Sequence, residues 1–393
     1  MKKFILIAFF AFIAIFFTVM SRPQYSLLQS FGTKCTSCHI NTQGGGVRSA
    51  GGWVSRKDIS LIPTSFLGLN KFFDQLSTNS WANELITTGM DVRLQEAKWG
   101  VPLVSTRSFM LMQSTPYLVF KPSNWLTFEG QYNISYNIYT DKRYTGQNPW
   151  AGSVYLKASD SLPTLRAGYF QPTFGIKWDD HTVLTRQFYG IRRGNPIIPD
   201  DFTEWGAQID YESISWLSAS VGVFSSKNMS KIPVKDANGN NIPIVDSTKP
   251  AISMRGFLTP PIGMGFVGFI GGTYYLSGDY YIGNWNLGFG KPDKFSLLFE
   301  YMDTEKKNVR RTQGLAIDLT YQLVESVLPY IRAEREITRE KVNRDLYYTT
   351  QWVFGSHIYL LPFMDILPEY RIIKEDHLAG YSAEWTFQLH VWY

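Results

Sequence analysis

The only two cysteines of the chain, Cys35 and Cys38, are separated by two residues and followed directly by His39. Cys-x-x-Cys-His is the attachment motif of c-type haem, in which two thiols add across the vinyl groups and the imidazole binds the iron. Zinc needs four ligands, usually with a second Cys/His pair, and a thioredoxin-type pair would lie in a βαβ pattern. The sequence has neither, so one covalent haem is favoured over zinc, a disulfide or a redox dithiol.

Glycines are concentrated after the motif, at 44–46 and 51–52, around Arg48. This cluster lacks the Gly-Lys-Ser/Thr ending of a phosphate loop. We expect its backbone to approach the edge of the porphyrin and Arg48 to bind a propionate. A segment of about 65 residues is small for a core of its own, so covalent haem and the neighbouring domain would complete it.

A second axial ligand is not evident near the motif. Residues 22–87 contain no methionine and no histidine besides His39, whereas a low-spin electron carrier needs a sixth ligand, usually Met or His. That ligand would come from the rest of the chain, be an unusual donor, or not exist. Strand parity and nearness to the periplasmic rim favour His390 and then His357, although a lone histidine is more often structural. Met364 and His181 are the next candidates.

The N-terminus has the pattern of an export signal. Lys2 and Lys3 precede an apolar run over residues 4–19, which predicts a signal peptide over 1–21. An uncleaved anchor helix is the alternative, but the run is short of the roughly 20 residues that span a membrane. We therefore divide the chain into 1–21 (signal peptide), 22–87 (monohaem cytochrome c-like segment) and 88–393 (barrel).

The C-terminal residues alternate strictly between apolar and polar types. Trp385, Phe387, Leu389, Val391 and Tyr393 share one face, and the intervening residues are polar or His390, apart from Trp392. The same period recurs after residue 88, for example over 126–138, 295–302 and 315–321. Such strands, together with 16% aromatic residues, are typical of a membrane barrel with a lipid-facing exterior and a polar lumen.

Connections between these strands alternate in length. Short turns are predicted near 121–124, 160–163, 211–214, 259–262, 291–294, 324–326 and 361–364. Longer loops are predicted at 99–107, 140–149, 176–201, 225–249, 275–279, 304–309, 339–345 and 374–380. This alternation predicts an all-β fold, a transmembrane antiparallel barrel of about 16 strands; a β-sandwich does not require it.

The interior of this barrel is expected to be polar and mixed in sign. Parity places charged residues such as Lys157, Glu300 and Arg332 inward. The net charge of +5 gives no strong preference for anions and none for nucleic acid. The aromatic- and arginine-containing loop 176–201 either folds into the channel as a constriction or lies on the surface.

An exported monohaem motif followed by one barrel resembles the fused cytochrome–porin family, whose members include outer-membrane iron oxidases. The resemblance covers the whole chain in architecture, but only Cys35, Cys38 and His39 at the level of motif. It implies electron transfer in the bacterial outer membrane, with haem in the lumen or on the periplasmic side. The implied partners are outer-membrane lipid, a periplasmic carrier such as a soluble cytochrome, and an unidentified extracellular donor or acceptor.

Three functions remain open from the sequence. The first is electron transfer, which includes an extracellular metal oxidoreductase. The second is a diffusion porin with a plugging or sensory haem domain, and the third is a haem enzyme acting on a small diffusible substrate. An apolar belt about 25 Å tall would not be bridged by one haem at the periplasmic mouth. A six-coordinate haem favours the first function, open conductance the second, and a vacant distal site the third.

We predict that haem attachment requires both thiols. Cys35→Ala together with Cys38→Ala should abolish haem staining after denaturing electrophoresis, because no other side chain of this chain can form the thioethers. Haem staining that persists in the double variant would contradict the prediction.

Overall fold

A computed structural model describes residues 36, 38–41, 46–55, 57–101, 104–135, 149–175, 183–187, 197–198, 202–236, 239–260, 262–341, 344–376 and 378–393. The predicted signal peptide and Cys35 lie outside these residues, as does the candidate ligand His181.

The described chain is dominated by one antiparallel sheet. Its strands are β1 (Ser80–Trp81), β2 (Ile86–Val101), β3 (Val104–Ser123), β4 (Leu126–Tyr132), β5 (Trp150–Leu156), β6 (Thr164–Phe170), β7 (Glu204–Tyr211), β8 (Leu217–Phe224), β11 (Ala251–Leu258), β12 (Val267–Ser277), β13 (Tyr280–Lys291), β14 (Phe295–Lys306), β15 (Arg310–Tyr321), β16 (Val327–Glu340), β17 (Leu346–Leu361), β18 (Met364–Glu375) and β19 (Tyr381–Trp392). A separate hairpin, β9 (Pro233–Lys235) and β10 (Asn241–Pro243), lies in the connection between β8 and β11. Two short helices, α1 (Ala50–Val54) and α2 (Asn70–Gln75), precede the barrel.

The sheet closes on itself. Each strand from β2 to β19 pairs with its neighbour in the chain, β8 pairs with β11 across the hairpin, and β19 pairs with β2 over Ala383–Trp392. Sixteen strands therefore form a closed wall, and β1 is an extra strand at the edge of β2. Closure leaves no unpaired sheet edge in lipid. The prediction of an all-β outer-membrane barrel of about 16 strands is confirmed.

Burial alternates along the strands as the sequence predicts. On β19, Trp385 and Phe387 are 59% and 47% exposed, whereas Glu384 and Thr386 are 3% and 7% exposed. Because the exposed side chains are apolar and the buried ones polar, the exterior of the wall faces lipid and the lumen carries the charged groups.

The connections differ from the predicted lengths. The expected long loop at 99–107 is wrong, because β2 continues to Val101 and β3 begins at Val104. Four other loops are also shorter than predicted, because strands β12 to β19 continue through the polar residues that border them. These are the loops predicted near 275–279, 304–309, 339–345 and 374–380. Long connections follow only β4, β6 and β8. The strand predicted over 126–138 ends at Tyr132, where β4 ends.

Strand length divides the wall into two sides. From β4 to β11 the wall strands have 7 or 8 residues, whereas β12 to β19 have 11 to 16 and β3 has 20. The long connections after β6 and β8 leave the short-strand side of the wall, and their described residues pack inside the lumen.

Neither described helix is long and apolar enough to cross a membrane.

Candidate functional site: the occupied lumen

The described part of the predicted haem motif is held in a compact turn. His39 forms an isolated antiparallel bridge with Arg48, and the Ser49 amide donates to the Cys38 carbonyl at 3.0 Å. His39 is 7% exposed, and Cys38 is half-buried. The motif is thus folded back on the segment that leads into α1, and the imidazole lies in the protein interior.

Gly52 explains why the glycine cluster is needed here. A Cβ at this position would lie 2.0 Å from the Cys38 carbonyl oxygen, whereas one at Gly51 would meet nothing closer than the Ser49 hydroxyl at 4.0 Å. The close approach of Gly52 is therefore to the backbone of the motif itself. The prediction that these glycines approach a porphyrin edge stays a prediction.

Helix α1 begins at a cap in which the Ser49 hydroxyl accepts from the Gly52 amide. It carries Trp53, which is fully buried, into contact with the barrel. The Trp53 ring stacks on Phe363 with centroids 4.9 Å apart and meets Tyr393 edge-on at 5.7 Å. Leu328, Tyr359 and Trp392 of the lumen wall belong to the same apolar cluster.

The N-terminal segment crosses the periplasmic mouth. Thr36 donates to Glu212, in the β7–β8 turn, at 2.5 Å, while Trp53 packs on Phe363, in the β17–β18 turn. These two turns lie on opposite sides of the ring of sixteen strands. We call the described residues between 36 and 81 the plug.

Further bonds hold the plug to the rim. The Leu61 and Ile62 amides donate to the carbonyls of Tyr359 and Leu360 at 2.6 and 3.1 Å. The Tyr393 hydroxyl donates to the Thr78 carbonyl at 3.0 Å, and burial raises the pKa of this phenol, so it stays a neutral donor near pH 7.

Both histidines proposed as axial ligands lie in the lumen beneath the plug. His390 Nε2 lies 3.1 Å from Asp91, and its Nδ1 lies 3.2 Å from Asp365. His357 Nδ1 lies 3.1 Å from the other oxygen of Asp365. One carboxylate therefore joins the two imidazoles, and coordination of iron by either nitrogen of His390 would displace a carboxylate.

The histidine network reaches the plug through Tyr117. The Tyr117 hydroxyl donates to Asp91 at 2.9 Å, and its ring packs with the buried Val47 of the plug. Arg48, expected to bind a propionate, lies with its guanidinium 5.8 Å from the centroid of Trp392, and the Trp392 ring lies 5.0 Å from that of His390. His39, Arg48 and His390 thus belong to one contiguous region.

A second element crosses the lumen at mid-height. In the β6–β7 connection, residues Leu184–Arg186 form a buried 3₁₀ turn. Arg186 binds Glu300 of β14 at 2.9 Å, and the Leu184 amide donates to Glu334 of β16 at 2.5 Å. Since β14 and β16 lie across the ring from β6 and β7, the described part of the loop predicted at 176–201 folds inward as a constriction.

A third element covers the outer end of the wall on the side from β6 to β14. Its apolar cluster joins lumen-facing wall residues such as Tyr275, Ile282 and Met302 to residues of the two long connections after β6 and β8. The members from those connections are Phe174, Ile197, Ile198, Phe202, Met229, Ile232, Val234, Ile244 and Val245. A barrel lumen is ordinarily polar. The wall is apolar here because the folded loops pack on it and shield it from water. We call these loops the outer cap.

Charged wall residues between these elements are mostly paired. Arg166 binds Glu129 at 3.1 Å, Arg332 binds Glu334 at 2.5 Å, and Arg371 binds Glu369. The prediction that Lys157 faces inward is wrong, because Lys157 follows the end of β5. It pairs with Asp160 in an exposed turn, at 2.7 Å.

Within the described ranges, no group of three or more His, Cys, Asp or Glu side chains is arranged to hold a metal ion. Sequence reasoning missed Asp365 and Asp91 as partners of the histidines, and Tyr117 as a partner of Asp91. The alternation of the strands could have predicted that these side chains face inward. It could not predict the cross-strand register, which brings Asp365 opposite His390.

No family model matches the chain, and no curated protein is similar to it at a significant level. Solved structures with the same fold include OprB of Pseudomonas putida at high pH (TM-score 0.55, 12% identity, covering 82% of this chain and 97% of that one). Others are outer-membrane expressed OmpT of Vibrio cholerae (0.52, 9%, 78% and 97%) and OmpF of Salmonella typhi with daunomycin (0.50, 11%, 80% and 99%). The chain therefore has the fold of outer-membrane porins.

We expect Gly52→Ala to loosen the plug, because the added methyl group overlaps the Cys38 carbonyl and overpacking of this kind costs about 1–3 kcal/mol. Limited proteolysis in detergent should cut the plug of this variant faster than that of the unmodified protein. Gly51→Ala is the matched control, since its methyl group meets open space and alanine favours helix. Equal cleavage rates for the two variants would contradict the role assigned to Gly52.

Proposed function

We propose that this protein is a porin-type outer-membrane barrel whose lumen is closed from the periplasmic side by its own haem-bearing N-terminal plug. The observation that carries the proposal is the path of the plug across the mouth, from Glu212 in the β7–β8 turn to Phe363 in the β17–β18 turn. Solute passage through the barrel then depends on the position of the plug.

Docking of the plug is strong enough to act as a closure. Trp53 is fully buried in a cluster with one turn and three strands of the wall, and removal of such a side chain costs about 3–5 kcal/mol. The two backbone hydrogen bonds to the end of β17 add to this. A plug held by these contacts stays docked unless a ligand, a partner or a redox change favours the undocked state.

We predict that Trp53→Ala increases conductance. Loss of about 3 kcal/mol or more of docking free energy raises the undocked fraction by about a hundredfold or more. Single-channel recordings in planar bilayers should show rare openings for the unmodified chain and more frequent openings for the variant.

Phe66→Ala is the control for this experiment, since Phe66 is a plug aromatic that is 82% exposed. Full, steady conductance of the unmodified protein would sink the proposal. So would a Trp53→Ala variant that conducts no more often than the Phe66→Ala variant.

Electron transfer is the second candidate function. It is favoured by the position of His39, which is buried at the periplasmic mouth. The His39 imidazole, the Cys38 thiol and the Arg48 guanidinium lie close together there and suit haem. Cys35 and Cys38 would supply the thioethers, His39 one axial nitrogen, and Arg48 a partner for a propionate. Haem bound there would supply one-electron exchange. A soluble periplasmic cytochrome is the partner that such a location suits.

The sixth ligand, if the haem has one, tests this second function. Each ring nitrogen of His390 faces a carboxylate, and Nδ1 of His357 lies 3.1 Å from Asp365. A carboxylate on Nδ1 is the usual support for an imidazole that binds metal through Nε2. Both histidines have this support, so His390 and then His357 stay the candidates, in the order expected from the sequence.

We predict that one of the two variants His390→Ala and His357→Ala converts a low-spin ferric spectrum to high spin, and that His39→Ala alters the axial field of any haem that remains attached. The variant that shifts identifies the sixth ligand, and the other serves as its matched control. A low-spin spectrum that survives all three substitutions would exclude the barrel histidines. A high-spin spectrum in the unmodified protein would favour the haem enzyme acting on a small substrate.

A further inference from the structure

A group of basic side chains lies on the lipid-facing side of the wall, at its outer end. On the outward face of β16, the order of residues from the periplasmic end is Ile331, Ala333, Arg335, Ile337 and Arg339. The lower members are apolar, and charge begins at Arg335. We call Arg311, Arg335, Arg339, Lys341 and Lys374 the outer rim patch; all five lie towards the outer ends of their strands or in the adjoining turn.

Two members of the patch are neutralised within the protein. Arg311 binds both oxygens of Asp303 at 2.8 Å, and Lys341 binds Glu305. Arg335, Arg339 and Lys374 are different, since none of them pairs with a carboxylate in the part of the chain that the structure describes. Three positive charges are left on this surface.

Cross-strand register concentrates these charges. Arg339 is directly opposite Arg311, and like charges in that position are destabilising. Arg335 is opposite Thr350, which is opposite Lys374 on the next strand. At about 4.8 Å per strand, the Arg335 and Lys374 positions are roughly 10 Å apart, so one elongated ligand with two anionic groups can reach both.

Aromatic side chains border the same patch. The Arg335 guanidinium lies 6.0 Å from the Tyr348 centroid, and the Lys374 ammonium lies 5.7 Å from that of Tyr381. Tyr381 is 67% exposed. Tyrosines at this level belong to the interfacial belt of a membrane barrel, which sets the patch at the headgroup level of the outer leaflet.

We propose that the outer rim patch binds a lipid of the outer leaflet that carries at least two phosphate groups. Arginine binds phosphate through paired N–H donors, and the exposed Ile331, Trp352 and Phe354 immediately below would contact its acyl chains. This continuous apolar surface favours a lipid over free phosphate. The proposal does not depend on the plug or on haem.

The test uses the full chain in detergent micelles and deep-rough lipopolysaccharide, a bisphosphorylated glycolipid, as the probe. Native mass spectrometry at fixed ionic strength would measure its affinity for the unmodified protein and for R335Q/R339Q. Loss of two interfacial cations should weaken binding roughly thirtyfold. Lys374→Gln alone should weaken it about fivefold, which keeps the test valid if the double variant fails to fold.

K291Q/K294Q is the matched control, because it removes two positive charges at the opposite end of the wall, around the β13–β14 turn. Its affinity should equal that of the unmodified protein. Equal binding by R335Q/R339Q, or an equal loss in the control, overturns the proposal. Displacement of the glycolipid by the same concentration of inorganic phosphate also overturns it, since free phosphate would then be the ligand.

Discussion

The pairing of the last strand with the first strand of the wall is the contact on which the other features depend. Backbone N–H and C=O groups in lipid must be hydrogen-bonded within the protein. Strand β19 meets this requirement by pairing with β2, and the pairing continues to Tyr393, which exchanges two backbone hydrogen bonds of 3.1 and 2.8 Å with Met90. The seam brings the two ends of the barrel together at the periplasmic rim. The plug enters β2 at that rim, so Trp392 and Tyr393 are within its reach.

The lumen is narrowed by two kinds of interaction at different heights. The plug and the outer cap have apolar clusters that exclude water, around Trp53 and around Met302. The constriction between them is ionic, since Arg186 binds Glu300. A sixteen-stranded wall leaves room for a water-filled channel, and here the chain's own segments occupy much of that room. The lumen-facing charges consequently serve internal pairing in this state.

Much of the barrel could be predicted from the sequence, because lipid outside and polar groups inside impose a period of two on every strand. Strand ends could not, since Arg339, Lys374 and Glu305 look like loop residues although their backbones remain paired above the apolar belt. Parity failed for Lys157 because β5 ends one residue earlier. The contacts of Trp53 and Asp365 depend on segments distant in sequence, which no local pattern specifies.

The composition of the plug's binding surface has a consequence for the order of assembly. Trp53 packs on Phe363 and Tyr393, which are more than 300 residues away and are therefore synthesised and exported last. Contacts of such separation form late, because the intervening chain must first be ordered. The N-terminal segment must wait in the periplasm until the final hairpin is in place. During that interval the segment is exposed to periplasmic proteins, and afterwards Trp53 is buried against the finished wall.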